Sequence, residues 1–265
     1  MRMKKYIITG IVLLAASCQK IVKLNLKNSA SQVVIQGEVT DTTGPYTVTL
    51  NRSEGFYQEN NFSPITDASV QITDNTGFTD TLLESAPGVY NTQKLQGVPG
   101  NSYNLIVEIG DTSYSGVSTM PQPVALDSIS FQVTNDRQGQ SNITAYANFQ
   151  DPASVSNYYQ FLLYINDSLF TQDIFVYSDR LSNGKYTSYA LRMDSTYLNP
   201  GDQIQVKMYC IEEGIFNYFR QLDISNSGGA FNTTASPANP TTTLSNNALG
   251  YFSAHTTRSK TTVVP

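Results

Sequence analysis

From Gln32 onward apolar and polar residues alternate in short runs, and turn chemistry interrupts them about every eight to twelve residues, the pattern of an all-β sandwich. Strands are expected at 33–40, 46–52, 68–73, 78–84, 89–92, 103–109 and 112–118, with turns such as Thr43-Gly44-Pro45, Asp74-Asn75-Thr76-Gly77 and Val98-Pro99-Gly100 between them. In the sixth of these Tyr103, Leu105, Val107 and Ile109 share one face, so that face must be buried. Met120-Pro121-Gln122-Pro123 then breaks the alternation, because neither proline can donate to a ladder, and a domain boundary is placed there. Strands resume at 128–134, 143–149, 158–166, 168–177, 186–194 and 203–211. Ile215, Phe216, Phe219 and Leu222 recur at helical spacing, which predicts a helix near 212–224. Residues 225–247 read as a long Ser, Thr, Asn, Gly and Pro loop, 248–254 as a last strand and 256–265 as a ragged tail. The expected architecture is all-β with two β-sandwich domains, 32–120 and 124–255, a short helix being inserted in the second.

The first residues follow another rule. Arg2, Lys4 and Lys5 precede an apolar run at 7–16 and then Ala15-Ala16-Ser17-Cys18, the layout of a lipoprotein signal. The run is too short to cross a bilayer of about 30 Å as a helix. Residues 1–17 are therefore read as a signal peptide, Cys18 as the lipidation site and 18–31 as a tether, which makes the membrane a partner through a lipid anchor. Two or three acyl chains are needed for lasting attachment, since one holds only marginally.

Removing the signal leaves 13 basic residues against 21 acidic ones, a net charge near −8. That balance argues against nucleic acid as a partner, because phosphate contacts need clustered Lys and Arg. With Cys18 acylated, Cys210 has no partner within the chain, so a disulfide framework is excluded. Cys210 falls on the apolar face of its strand with Ile204, Val206 and Met208 and is expected to be an inert core thiol.

Catalytic motifs are sparse. The one histidine, His255, lies near the C-terminal tail and is expected to be exposed, and a hydrolase built on it with a loop Ser or Asp is the weaker alternative. Ser182-Asn183-Gly184-Lys185 matches the spacing of penicillin-recognising enzymes, yet Asn183-Gly184 between strand-like runs is a hairpin signal. Asp74-Asn75-Thr76-Gly77 lacks the later ligands of a calcium loop and reads as a β-turn. Neither a metal nor a nucleotide cofactor has sequence support.

The 17 Tyr and 12 Phe, with no Trp, are a stronger signal. Tyr158, Tyr159, Tyr177, Tyr189 and Tyr197 form a candidate binding face for a polar, glycan or peptide ligand, because a flat apolar ring carries a polar tip. Ordinary strand packing suits the same residues and is the preferred reading unless they are exposed. In addition, Asp precedes Thr42, Thr81, Ser128, Ser168 and Ser195 in triplets that resemble the O-glycosylation sequon of Bacteroidetes exported proteins; composition alone accounts for about one such match. Turn-forming Asp-Ser and Asp-Thr pairs compete with that reading.

The strand Val33-Val34-Ile35-Gln36-Gly37, the run from Ile65 to Asp74, the turn Pro87-Gly88-Val89-Tyr90 and the segment Gly100-Asn101-Ser102-Tyr103-Asn104-Leu105 together resemble the domain of unknown function 4249 (DUF4249) family of Bacteroidetes lipoproteins. The ending Ser245-Asn246-Asn247-Ala248-Leu249-Gly250-Tyr251-Phe252-Ser253-Ala254 is similar to that family's closing signature. The first part also resembles sandwiches of the transthyretin or carboxypeptidase-regulatory type. The resemblance implies no catalytic residues. It implies an outer-membrane, lipid-anchored protein, on the periplasmic face or cell surface, that accompanies a TonB-dependent transporter. Gln19-Lys20-Ile21-Val22-Lys23 lacks the acidic residues that resemble a surface-export signal.

Overall fold

The computed structural model describes residues 31–54, 62–135, 141–153, 155–193, 197–226 and 239–265. The expected signal peptide, Cys18 and the expected tether up to residue 30 lie outside them, as do Ser195 and 227–238 of the long loop. The first half consists of β1 (Val33–Thr40), β2 (Thr47–Arg52), β3 (Ser63–Pro64), β4 (Ser69–Asp74), β5 (Thr79–Thr81), β6 (Leu83–Ala86), β7 (Val89–Asn91), β8 (Ser102–Ile109) and β9 (Thr112–Thr119). The second adds β10 (Ser128–Asn135), β11 (Ser141–Gln150), β12 (Tyr158–Ile165), β13 (Ser168–Leu169), β14 (Phe175–Ser178), β15 (Tyr186–Leu191), β16 (Gln203–Ile211), helix α1 (Glu213–Asn226) and β17 (Leu249–Val263).

One sheet runs through both halves in the order β13-β12-β16-β17-β1-β2-β7-β6, with β14 also on β12 and β3 on β2. Two smaller sheets, β5-β4-β8-β9 and β10-β11-β15, complete the sandwiches. The alternation dictates which side chains fill each interior. Tyr103, Leu105 and Val107 of β8 meet Ile35, Val39, Val48 and Leu50 in the first core. Ile204, Val206, Met208 and Cys210 of β16 meet Tyr159, Phe161, Leu163 and Phe149 in the second. Burying these faces is the main stabilising term. Cys210 is a free thiol in that core, where burial pushes its pKa up. Met120 packs in the first core, Val124 and Leu126 in the second.

The C-terminal strand joins the two. Residues 249–255 of β17 pair in parallel with 34–40 of β1, and residues 256–263 pair antiparallel with β16. As β1 turns away, Asp41 takes its place: its carboxylate accepts from Thr257 N at 2.8 Å and from Arg258 at 2.7 Å. Residues 256–263 are thus strand rather than ragged tail. Leu244, Ala248, Phe252 and Ala254 belong to the first core, so the 124–255 boundary is wrong at its C-terminal end. Alternation reports that a strand has two faces; it carries no information on partners some 200 residues away.

Three other expectations change for the same reason. The 78–84 strand is two strands in different sheets, because the chain crosses over at buried Leu82. The 168–177 strand is broken into β13 and β14, both on β12. Asn183-Gly184 does make a turn, with Gly184 at φ 77° and Lys185 N bonded to Ser182 O at 2.9 Å, but β14 and β15 lie in different sheets and form no hairpin.

Candidate functional site

The second sandwich is open along one side. There β14 and β15 are the facing edge strands of its two sheets, and between them lies a cleft of about 630 Å³. Its floor is Tyr177 and Tyr189, whose ring centroids are 5.3 Å apart. Gln172, Asp173, Arg192 and Asp223 stand around them, Asp223 contributed by α1. Alternation along β14 and β15 turns both tyrosines inward, and they continue a column of rings: Tyr189 stacks on Phe161 at 4.9 Å and Tyr177 on Tyr159 at 6.2 Å. The Tyr189 hydroxyl donates to Val176 O at 3.2 Å, bridging the two edges. Burial, with a further push from the Asp223 charge, raises its pKa to about 12, so it is a neutral donor at physiological pH. Flat rings flanked by charges of both signs suit a polar ligand with apolar patches.

The five candidate tyrosines do not form one face. Tyr158 and Tyr159 are consecutive on β12 and point to opposite sides of the sheet. Tyr158 packs on Phe216 of α1, with centroids 5.3 Å apart. Tyr159 is wholly buried and donates to Asp151 Oδ1 at 2.5 Å, which makes it structural. Tyr197 is 51 % exposed and lies outside the cleft lining. The structure therefore brings together only Tyr177 and Tyr189 at the cleft, with Tyr159 beneath. Asp173, Arg192 and Asp223 carry no local motif; their placement depends on the sandwich edge.

Thr42, Thr81, Ser128 and Ser168 are all exposed, at strand ends or turns, while Ser195 lies outside the described residues. The Asp74 loop is a β-turn: Asp74 Oδ1 accepts from Thr76 N, Thr76 Oγ1 and Phe78 N. Thr76 is the main reason that carboxyl titrates below its usual range.

His255 is not an exposed tail residue. It is 2 % exposed in the middle of β17, stacked on Tyr209 at 4.3 Å, with Nδ1 3.1 Å from Ser253 Oγ. Ser253 is equally buried, so this serine and histidine are sealed from any substrate. Nε2 has no hydrogen-bond partner. Burial lowers the pKa of His255, against a smaller pull upward from Glu38 and Asp41. The imidazole is neutral in the fold, whereas in the unfolded chain it takes a proton near its ordinary 6.5. Stability is thus full above about pH 6.5 and falls as pH drops below it. Because the chain has a single histidine, urea midpoints measured between pH 7.5 and 5.5 should fall for the wild type and stay level for His255→Phe, which keeps the stack.

Among the described residues no helix is long and apolar enough to cross a membrane. No curated protein matches this sequence. Among solved structures the chain is similar to the adhesin InvE of Yersinia pseudotuberculosis, at 18% identity over 68% of this chain and 55% of the adhesin chain, with a TM-score of 0.22. That likeness is too loose to bear on function. The family model described as Domain of unknown function (DUF4249) matches residues 19–261, nearly the whole chain, and the protein belongs to that family.

Proposed function

We propose that this chain is a non-enzymatic, lipid-anchored protein of the outer membrane that binds a polar ligand or partner in the cleft of its second sandwich, as an accessory of a TonB-dependent uptake system. The observation that carries this reading is the cleft: two ring faces, a cation and two carboxylates converge at an open sandwich edge, while the only histidine is shut inside the sheet. Anchorage rests on the cationic tip, the apolar run and Cys18, and the transporter association on the family resemblance. The exposed threonines and serines of the sequon-like triplets fit an exported, glycosylated surface.

The test is binding of the chain from Gln19 to glycan and peptide arrays. The exposed Arg192 can be changed without disturbing a core, so Arg192→Glu should retain the wild-type circular dichroism spectrum and lose at least about tenfold in affinity, the scale of one charge-assisted contact. No array ligand, or an Arg192→Glu variant that binds as wild type, would remove the cleft from consideration. A structural envelope or adhesion role is the second reading, favoured by the burial of Tyr159 and the packing of Tyr158 under α1.

A further inference from the structure

At one end of the second sandwich two loops run side by side, one joining β11 to β12 and the other β14 to β15. They are tied together firmly. Asp151 N bonds to Lys185 O at 3.2 Å, Gly184 N to Asp151 Oδ2 at 2.9 Å, and Asn157 N to Asp179 Oδ2 at 2.8 Å. Gly184 leaves room for Ala153, whose Cβ a side chain there would meet at 2.6 Å. A short 3-10 turn, Asp179–Leu181, is capped by the Ser178 side chain. This braced tip holds Leu181 at 92 % exposure, with Val155 at 58 % and Tyr186 at 57 %.

Charge is segregated at the same place. The two acids of the tip, Asp151 and Asp179, are turned inward and are each 1 % exposed; both Asp151 oxygens accept, from Tyr159 and Gly184, and Asp179 Oδ2 accepts from Asn157, while Asp179 Oδ1 is buried without a hydrogen-bond partner. The two cations, Arg180 and Lys185, are exposed on either side of Leu181. A protein with net charge −5 thus presents a rigid tip that is positive and apolar. Of the exposed acids, Asp127 directly precedes β10, which is separated from β15 and Tyr186 by β11, and Glu213 acts on the Tyr158 hydroxyl. Braced apolar side chains between cations match an anionic bilayer, where Leu enters the acyl region, Tyr sits at the headgroups and Lys and Arg meet phosphates. Strand polarity agrees with this. β12 runs parallel to β1, through two antiparallel steps and one parallel, so the tip opens in the direction of the chain's entry at Val33, although by register Tyr158 stands level with Thr40 at the other end of β1.

We propose that the tip formed by Leu181, Tyr186, Val155, Arg180 and Lys185 is a second membrane contact that docks on anionic lipid headgroups, independently of the lipid anchor and of the cleft. Every described strand and both cores lie within residues 31–265, so the chain from Gln19 is the fold to test. It should sediment with vesicles of phosphatidylcholine and phosphatidylglycerol and far less with phosphatidylcholine alone. Leu181→Ser should weaken partitioning by about tenfold, as expected for withdrawing one leucine from the acyl region, and Arg180→Gln and Lys185→Gln by about fivefold each. Leu169→Ser, at an exposed leucine on β13, should leave it unchanged. The proposal is overturned if the wild type stays in the supernatant with anionic vesicles, or if Leu181→Ser binds as well as wild type. It also falls if Leu181 instead drives self-association, seen as a larger species in sedimentation velocity that Leu181→Ser abolishes. Array binding through the cleft is a separate readout, so failure here leaves the proposed function standing.

Discussion

Phe252→Ala is expected to lower the stability of the whole chain by about 3–5 kcal/mol, measured as a shift in the urea midpoint followed by circular dichroism or tyrosine fluorescence. The ring is fully buried, and its site has been cleared by glycines on both sheets of the first sandwich. A Cβ on Gly37 of β1 would come within 3.0 Å of Phe252 Cδ2, and one on Gly116 of β9 within 3.3 Å of Phe252 Cβ. Glycines have no side chains to lean into a vacated space, so on those two sides only neighbours such as Val48, Leu105 and Leu244 can relax into it, and a residual cavity should remain. The experiment also decides a question of architecture. Phe252 belongs to the C-terminal strand yet fills the first core, so a first half that folded by itself would be indifferent to it. A transition in which residues 32–120 melt at the wild-type midpoint while the rest is destabilised would show the two halves to be separable.

Much of this fold was legible in the sequence because strand faces are a local property. Tyr103, Leu105 and Val107, or Ile204, Val206 and Met208, announce a buried face within one strand, and the structure buries them all. What eluded the pattern is partnership. Nothing within Leu249–Val263 says that its first half lies beside Val33–Thr40 and its second beside Gln203–Ile211. The polar composition of the stretch that follows His255 suggested a tail, but strands at the margin of a core tolerate Thr, Ser and Lys as long as their backbones are paired. Asp41 illustrates the same limit. It belongs to a sequon-like triplet in the sequence, whereas in the structure its carboxylate supplies the acceptor for Thr257 that β1 no longer provides.

The site was legible only as chemistry. Counting tyrosines pointed to the second half, and Tyr177 and Tyr189 do floor its cleft. Geometry then divided the group, since neighbours in sequence face opposite ways on a strand and Tyr159 is spent on holding Asp151. Arg192, Asp173 and Asp223 come from three separate segments and converge only because the two sheets leave an open edge between β14 and β15. His255 departs from its local signal for a related reason: proximity to the chain end predicts exposure, yet it sits near the midpoint of the strand that crosses both sandwiches.

Gly250→Ala is the second large effect, expected to destabilise by about 3 kcal/mol or more and to loosen the β1–β17 pairing first. Two penalties combine at this position. Its φ of 97° is one that L side chains rarely adopt, and a Cβ there would lie 2.0 Å from the carbonyl oxygen of Ile35, the residue directly across in the parallel register. The backbone oxygen of a core strand cannot step aside without breaking the ladder on either side of it. Gly77→Ala separates the two costs, because Gly77 has φ 92° in the Asp74 turn and nothing within 4 Å of the added carbon. Its loss should be the conformational part alone, about 1–2 kcal/mol. Hydrogen exchange at the amides of Val34 to Thr40 should accelerate in Gly250→Ala and remain protected in Gly77→Ala. Equal losses in the two variants would mean that residue 250 is not seated against Ile35, and the parallel pairing on which both cores depend would have to be redrawn.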